Sequence, residues 1–186
     1  MSFTKKEITV LNIDIDGFST IYRAIKAEKT TELMNRFYSE LSESVLANGG
    51  EVVEFLGDGF IAMFAREGCN ALDAVKAALS MKEKIAGMNA SGLPDKCPEI
   101  KAPIVLAGGE AFVGYFGTGS YERFNAIGDA VNASFSIAHK ASGNQLLVNE
   151  TVYEAVKDSV NVREEIKIQR RHHDNPFICY DICSLK

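Results

Sequence analysis

The chain has 186 residues, 46 % of them apolar and 24 % charged, with a net charge of −5, which is the balance of an ordinary globular domain with one core. The acidic balance excludes nucleic acid as the main partner, because neutralising a phosphate backbone takes a basic stripe, although a local basic pocket for one small anion is compatible with it. No apolar run approaches the ~20 residues of a membrane span, Lys5, Lys6 and Glu7 interrupt any secretory leader, and Cys69, Cys97, Cys179 and Cys183 form no C-x-x-C pair, so the expectation is a cytoplasmic protein with reduced thiols, no membrane contact and no zinc.

Glu7–Ile15 alternates and then runs apolar, which predicts a central strand. Ser19 is placed to cap a helix starting near Thr20. A second helix starts at Thr30 or Thr31, with Leu33, Phe37, Leu41 and Val45 on one face, and Asn48-Gly49-Gly50 stops it. Glu51–Leu56 and Phe60–Phe64 read as a hairpin around Gly57-Asp58-Gly59. Asn70–Met88 is an amphipathic helix, followed by a polar loop to Glu99. Ile100–Ala107 reads as a strand, Gly108-Gly109-Glu110 as a turn and Ala111–Phe116 as its hairpin partner. After a turn at Gly117–Tyr121, Ile127–Lys140 reads as a helix opening on Gly128-Asp129. Gln145–Val148 is a short strand, Asn149 caps the helix Glu150–Val156, and Val162–Gln169 and Phe177–Cys183 are the last strands. Strand pairs with helices between them predict one α+β domain over 1–186 with a mixed or antiparallel sheet.

In this order the first strand lies beside the Glu51–Phe64 hairpin, and Asp14 reaches the same sheet edge as Asp58. Two carboxylates at one edge cannot both ionise cheaply without a cation. Magnesium or manganese prefers oxygen ligands, with phosphates completing the shell. The Gly17-Phe18-Ser19 amides at a helix start suit a triphosphate. Strand alternation puts Asp16 on the face of Asp14. The alternative without function is one carboxylate in a turn and one at a cap.

Four runs carry a family resemblance: Ile8–Ser19, Asn48–Phe64, Gly109–Gly114 and Ala126–Asn132. In this order and spacing they resemble the catalytic domain of class III nucleotidyl cyclases, and Pro176–Ile182 is similar to that family's last strand. The resemblance implies a ferredoxin-like core and a head-to-tail homodimer with composite sites in the interface. It implies two divalent metal ions held by Asp14, Asp58 and the backbone carbonyl of Ile15, with Asn132 orienting the ribose from the other subunit. Where adenylate cyclases carry a lysine, four residues before the second metal aspartate, this chain has Glu54, and Asn125 holds the partner position that reads the base. The Glu54 carboxylate disfavours ATP and favours GTP or a pyrimidine triphosphate, and the Asn125 amide, which can donate or accept, can turn to meet O6 or O4 of the same base. Position 136, where the family has its transition-state arginine, is Ser136. The late lysine that grips the triphosphate falls in Gln169–His173, where Arg171 is the best substitute.

A bare catalytic domain of this kind also resembles the stand-alone pyrimidine cyclases of bacterial anti-phage defence, which make cyclic UMP or CMP. Two other readings compete. Asp14-Ile-Asp-Gly-Phe resembles the start of a haloacid-dehalogenase-type phosphatase, but Gly57-Asp58 comes too early for that family's acidic pair. A degenerate cyclase-like domain that binds a nucleotide or a partner without chemistry is favoured by Ser136 and opposed by the two aspartates.

Overall fold

The computed structural model describes residues 3–68, 70–169 and 176–186. Its elements are β1 (Phe3–Asp14), α1 (Phe18–Ala24), α2 (Ala27–Ala47), β2 (Glu51–Leu56), β3 (Gly59–Phe64), α3 (Ala71–Ser91), β4 (Ile104–Phe116), β5 (Arg123–Gly128), α4 (Asp129–Ala138), β6 (Leu146–Asn149), α5 (Glu150–Val156), β7 (Val160–Ile168) and β8 (Phe177–Leu185). They form an α+β fold around an eight-stranded sheet in the order β2-β3-β1-β4-β6-β8-β7, with β5 also paired to β4. The sheet is mixed: β4 and β6 are parallel and the other pairs antiparallel.

Strand alternation sorts the core into two faces. Leu11 and Ile13 of β1 pack with Phe60, Ala62 and Phe64 of β3 under α2 and α3. The expected α2 stripe is there: Leu33, Phe37, Leu41 and Val45 are all buried. Removing a ring such as that of Phe37 costs about 3–5 kcal/mol. Ile8 and Val10 point the other way and meet Ile61, Met63, Ala111 and Ala130, the last on α4. Helix α4 therefore lies on the opposite face from α2 and α3, and Asp14, in phase with Ile8 and Val10, ends β1 on the α4 side.

Three expectations need correction. Gly108-Gly109-Glu110 is not a turn, because β4 runs unbroken past it, paired with β1 from Phe3↔Gly114 to Ile13↔Ile104. Gly108 serves close packing instead: a Cβ there would sit 3.0 Å from Thr151 Cγ2 and 3.1 Å from Val152 Cγ2 of α5. The hairpin partner of Ala111–Phe116 is β5, so Ile127 is a strand residue and the helix starts only at Asp129. Finally, Ser19 caps nothing. Helix α1 begins at Phe18 with Gly17 at its N-cap, at φ 71°, in the left-handed region where glycine has no steric penalty.

Candidate functional site

β1 and β3 pair with Asp14 opposite Gly59, so the end of one apolar strand meets the turn of the Gly57-Asp58 hairpin. Gly57, at φ 68°, takes the first position of the two-residue loop, where glycine is favoured. Gly59 has a different task. A Cβ there would fall 2.0 Å from the Ile13 carbonyl oxygen and 2.9 Å from Asp14 Oδ1, so only glycine lets β1 close on the hairpin. The Ile15 amide then donates to the Asp58 carbonyl at 3.2 Å.

This backbone clamp brings the Asp14 and Asp58 side chains within hydrogen-bonding reach of each other. Partial burial, the hydrogen bond to Asp58 and its charge push the Asp14 carboxyl up from 3.8 to about 7. Two carboxyl groups this close cannot both ionise cheaply without a cation beside them. The Ile15 carbonyl oxygen accepts from the Phe18 amide at 3.3 Å and keeps a second lone pair. Two carboxylates and a carbonyl make an all-oxygen set, which suits magnesium or manganese. Among the described residues no three His, Cys, Asp or Glu side chains gather into a metal cluster. Further ligands would therefore come from water or from a phosphate.

Asp14 and Asp58 line a cleft of about 180 Å³ with Asn12, Leu56, Phe135 and His139. Gly17, Phe18 and Ser19 follow at the start of α1, with Gly17 and Ser19 exposed. Glu54 is exposed on edge strand β2, opposite Ile61 and next to a bulge. Asn125 lies on β5 opposite Gly114, and its Oδ1 accepts from the Ala126 amide at 2.7 Å. Asn132 does not line the cleft of the two aspartates, although Phe135, one turn further along α4, does. Asn132 is exposed on α4 and lines a neighbouring cleft of about 760 Å³ with Glu110, Asp129, Ser136 and Thr151. The Ser136 hydroxyl donates to the Asn132 carbonyl at 2.8 Å, turned back onto its own helix. Arg171 lies outside the described residues.

Asp16 departs from its expected place. The strand ends at Asp14, so alternation no longer applies, and Asp16 Oδ2 accepts from the Gly143 amide at 3.0 Å while its own amide donates to Lys101 O at 2.7 Å. Sequence reasoning also missed Tyr38. Its hydroxyl donates to the Gly57 carbonyl, its ring lies 4.7 Å from Phe55, and burial together with the Asp58 and Asp14 charges raises its pKa. It steadies the hairpin turn from α2. Its place beside Phe37 at the edge of the buried stripe was the signal available. His139 gave none.

Residues 2–180 match the adenylate and guanylate cyclase catalytic domain. The chain belongs to this family. Adenylate cyclase 1 of Rhizobium meliloti (strain 1021) is 27 % identical over 164 residues, which cover 86 % of this chain and 25 % of that protein. The chain thus spans about a quarter of that relative's length. The guanylyl cyclase Cya2 superposes with a TM-score of 0.93 at 23 % identity, over 100 % of this chain and 96 % of the other. The adenylyl cyclase CyaB from P. aeruginosa gives 0.90 at 23 % identity, over 100 % and 98 %. The cyclase fold is therefore the fold of this chain. Among the described residues no helix is long and apolar enough to cross a membrane.

Proposed function

We propose that this cyclase-family domain converts a nucleoside triphosphate into a 3′,5′-cyclic nucleotide and pyrophosphate, as a homodimer with composite sites. The Asp14–Asp58 pair carries the reading: two carboxyl groups are held together by strand pairing, with one proton retained to about pH 7. A structural pair would be separated or bonded to donors, whereas this one faces an open cleft beside a helix start. Two divalent ions on Asp14, Asp58 and the Ile15 carbonyl would supply the Lewis-acid charge that the ribose 3′-hydroxyl and the departing pyrophosphate require. The chain's own contribution is to hold those oxygens, to present the Gly17 and Ser19 amides to the triphosphate while the Phe18 amide stays on the Ile15 carbonyl, and to bring Asn132 from a second copy to the ribose. Arg171 is the proposed cation for the phosphates.

Glu54 and Asn125 set the base. A carboxylate facing adenine N1 meets lone pair with lone pair, whereas guanine N1–H, uracil N3–H and the cytosine amino group all donate to it. A mismatched buried polar pair costs about 1–3 kcal/mol, on the order of 10- to 100-fold in selection. GTP or a pyrimidine triphosphate is expected to outcompete ATP, and a cyclic pyrimidine product would fit a second messenger of antiviral defence. Competition among all four triphosphates with manganese tests this. A preference for ATP, or selectivity unchanged in Glu54→Lys, would remove the role of Glu54.

One observation favours a second reading, a nucleotide-binding regulatory domain without turnover: Ser136 offers no cation to the transition state. Losing one such donor typically costs ~3–4 kcal/mol. Cyclic product from the wild type, absent in Asp14→Asn, decides for the enzyme. Triphosphate binding with no product decides for the regulatory domain.

A further inference from the structure

Away from the aspartates, a cleft of about 540 Å³ opens between α3 and the segment leading into β4. Ile85, Ala86, Ala90 and Ala102 make it apolar, and Lys82 stands in its lining as the cation. Lys82 is half-buried and has no hydrogen-bond or ion-pair partner among the described residues. Burial pushes its ammonium below its ordinary value, and the nearby Asp181 only partly opposes this. Asp181 is already engaged, by Arg163 at 2.9 Å and the Leu146 amide at 3.1 Å. A desolvated cation with a spare coordination sphere at the end of an apolar trough favours an anion with an apolar tail.

The trough is built, not incidental. Asn89 bonds both the amide and the carbonyl of Ile100 at 2.9 Å, fixing the far wall to α3. Glu99 stands exposed at that opposite end, where solvent screens its charge. From Lys82 to Ala90 the helix rises about 12 Å, a length that suits a chain of about eight carbons. The wall also touches the β1–α1 loop. Asn144 Oδ1 accepts from the Ala102 amide at 3.4 Å, and the neighbouring residues Lys101 and Gly143 both bond Asp16.

We propose that this cleft binds a small amphipathic carboxylate, with its anionic end on Lys82 and its chain along Ile85, Ala86 and Ala90. Occupancy is transmitted through residues 101–102 and 143–144 to Asp16, two residues from Asp14. The binding half stands alone; the regulatory meaning of the transmission rests on the cyclase reading.

Amide NMR of the labelled protein titrated with octanoate tests both halves. Saturable shifts are expected at residues 82, 86, 90, 102 and 144, and also at Asp16 and Gly143 outside the cleft. Lys82→Met should weaken binding at least about 10-fold, and octylamine, with the charge reversed, should bind at least about 10-fold more weakly than octanoate. Ala86→Phe, at an exposed position on α3, should fill the trough without unfolding the helix and abolish binding. No saturable binding, equal binding of octylamine, or unchanged affinity in both variants overturns the site. Shifts confined to the cleft overturn the transmission. The readout does not depend on turnover, so a protein that binds octanoate and makes no cyclic product counts against the cyclase reading alone.

Discussion

Asp14 and Asp58 are held in contact by backbone, so their chemistry follows from a fixed geometry. In metal-free buffer the folded Asp14 keeps its proton to about pH 7, whereas the unfolded chain releases it near 3.8. Between those values the native state binds more protons than the unfolded state, so this group's contribution to stability falls as pH rises from about 4 to 7. Asp14 is exposed at the rim, so solvent screening keeps the effect modest. Asp58→Asn removes the neighbouring charge and should flatten that slope, read as urea midpoints at pH 5 and pH 8 in EDTA. Manganese should raise the wild-type Tm more at pH 8 than at pH 5. An equal manganese shift in Asp58→Asn would count against the pair as the binding site. Gly59→Ala makes the same point sterically: its Cβ would displace the Asp14 end of β1, and turnover should fall with the sheet otherwise formed.

At the scale of elements, the junction of β4, β6 and α5 depends on Asn149. Its Oδ1 accepts from the Gly108 amide at 2.9 Å and its Nδ2 donates to the Gly108 carbonyl at 2.9 Å, while Oδ1 also caps α5 at the Val152 amide, 3.1 Å away. The side chain is buried, so its removal leaves polar groups of Gly108 without partners. Asn149→Ala is expected to cost about 2–4 kcal/mol, above the ~1 kcal/mol of an exposed cap. Chemical denaturation would measure it. A loss no larger than that of Asn70→Ala, which removes the more exposed capping box of α3, would show that the Gly108 bonds add nothing.

For the whole molecule, the feature that bears on the proposed homodimer is the placing of Asn132 and the two aspartates in neighbouring clefts that share Phe135. The proposed composite site would take Asp14 and Asp58 from one chain and Asn132 from the other. Exposed apolar side chains at Phe3, Phe112 and Ile127, on neighbouring positions of β1, β4 and β5, supply surface suited to such an interface. Mixing inactive Asp58→Asn with inactive Asn132→Ala should restore part of the activity, since one composite site of each heterodimer is then intact. Heterodimers that form and remain inactive would rule out the shared site.

The sequence by itself determined the local pieces. The alternation of Ile8–Ile15, the α2 stripe through Phe37, the Asn149 cap and the Gly57-Asp58 hairpin all follow from periods of 2 and 3.6 and from turn chemistry, and each is present in the structure. The four runs around Asp14, Asp58, Gly109 and Asn132 carried the family. Tertiary structure alone decided what depended on partners distant in the chain. Gly108-Gly109 reads locally as a turn, but β1 pairing along the whole of β4 and the close approach of α5 make it extended strand. Ile127, apolar and exposed, carries no local mark of strand or helix until β4 pairs with it. Asp16 follows alternation only while the strand continues, and the Gly143 amide, 127 residues away, sets its direction once it stops. A local period fixes which face a side chain takes; only long-range hydrogen bonding and packing fix what that face meets.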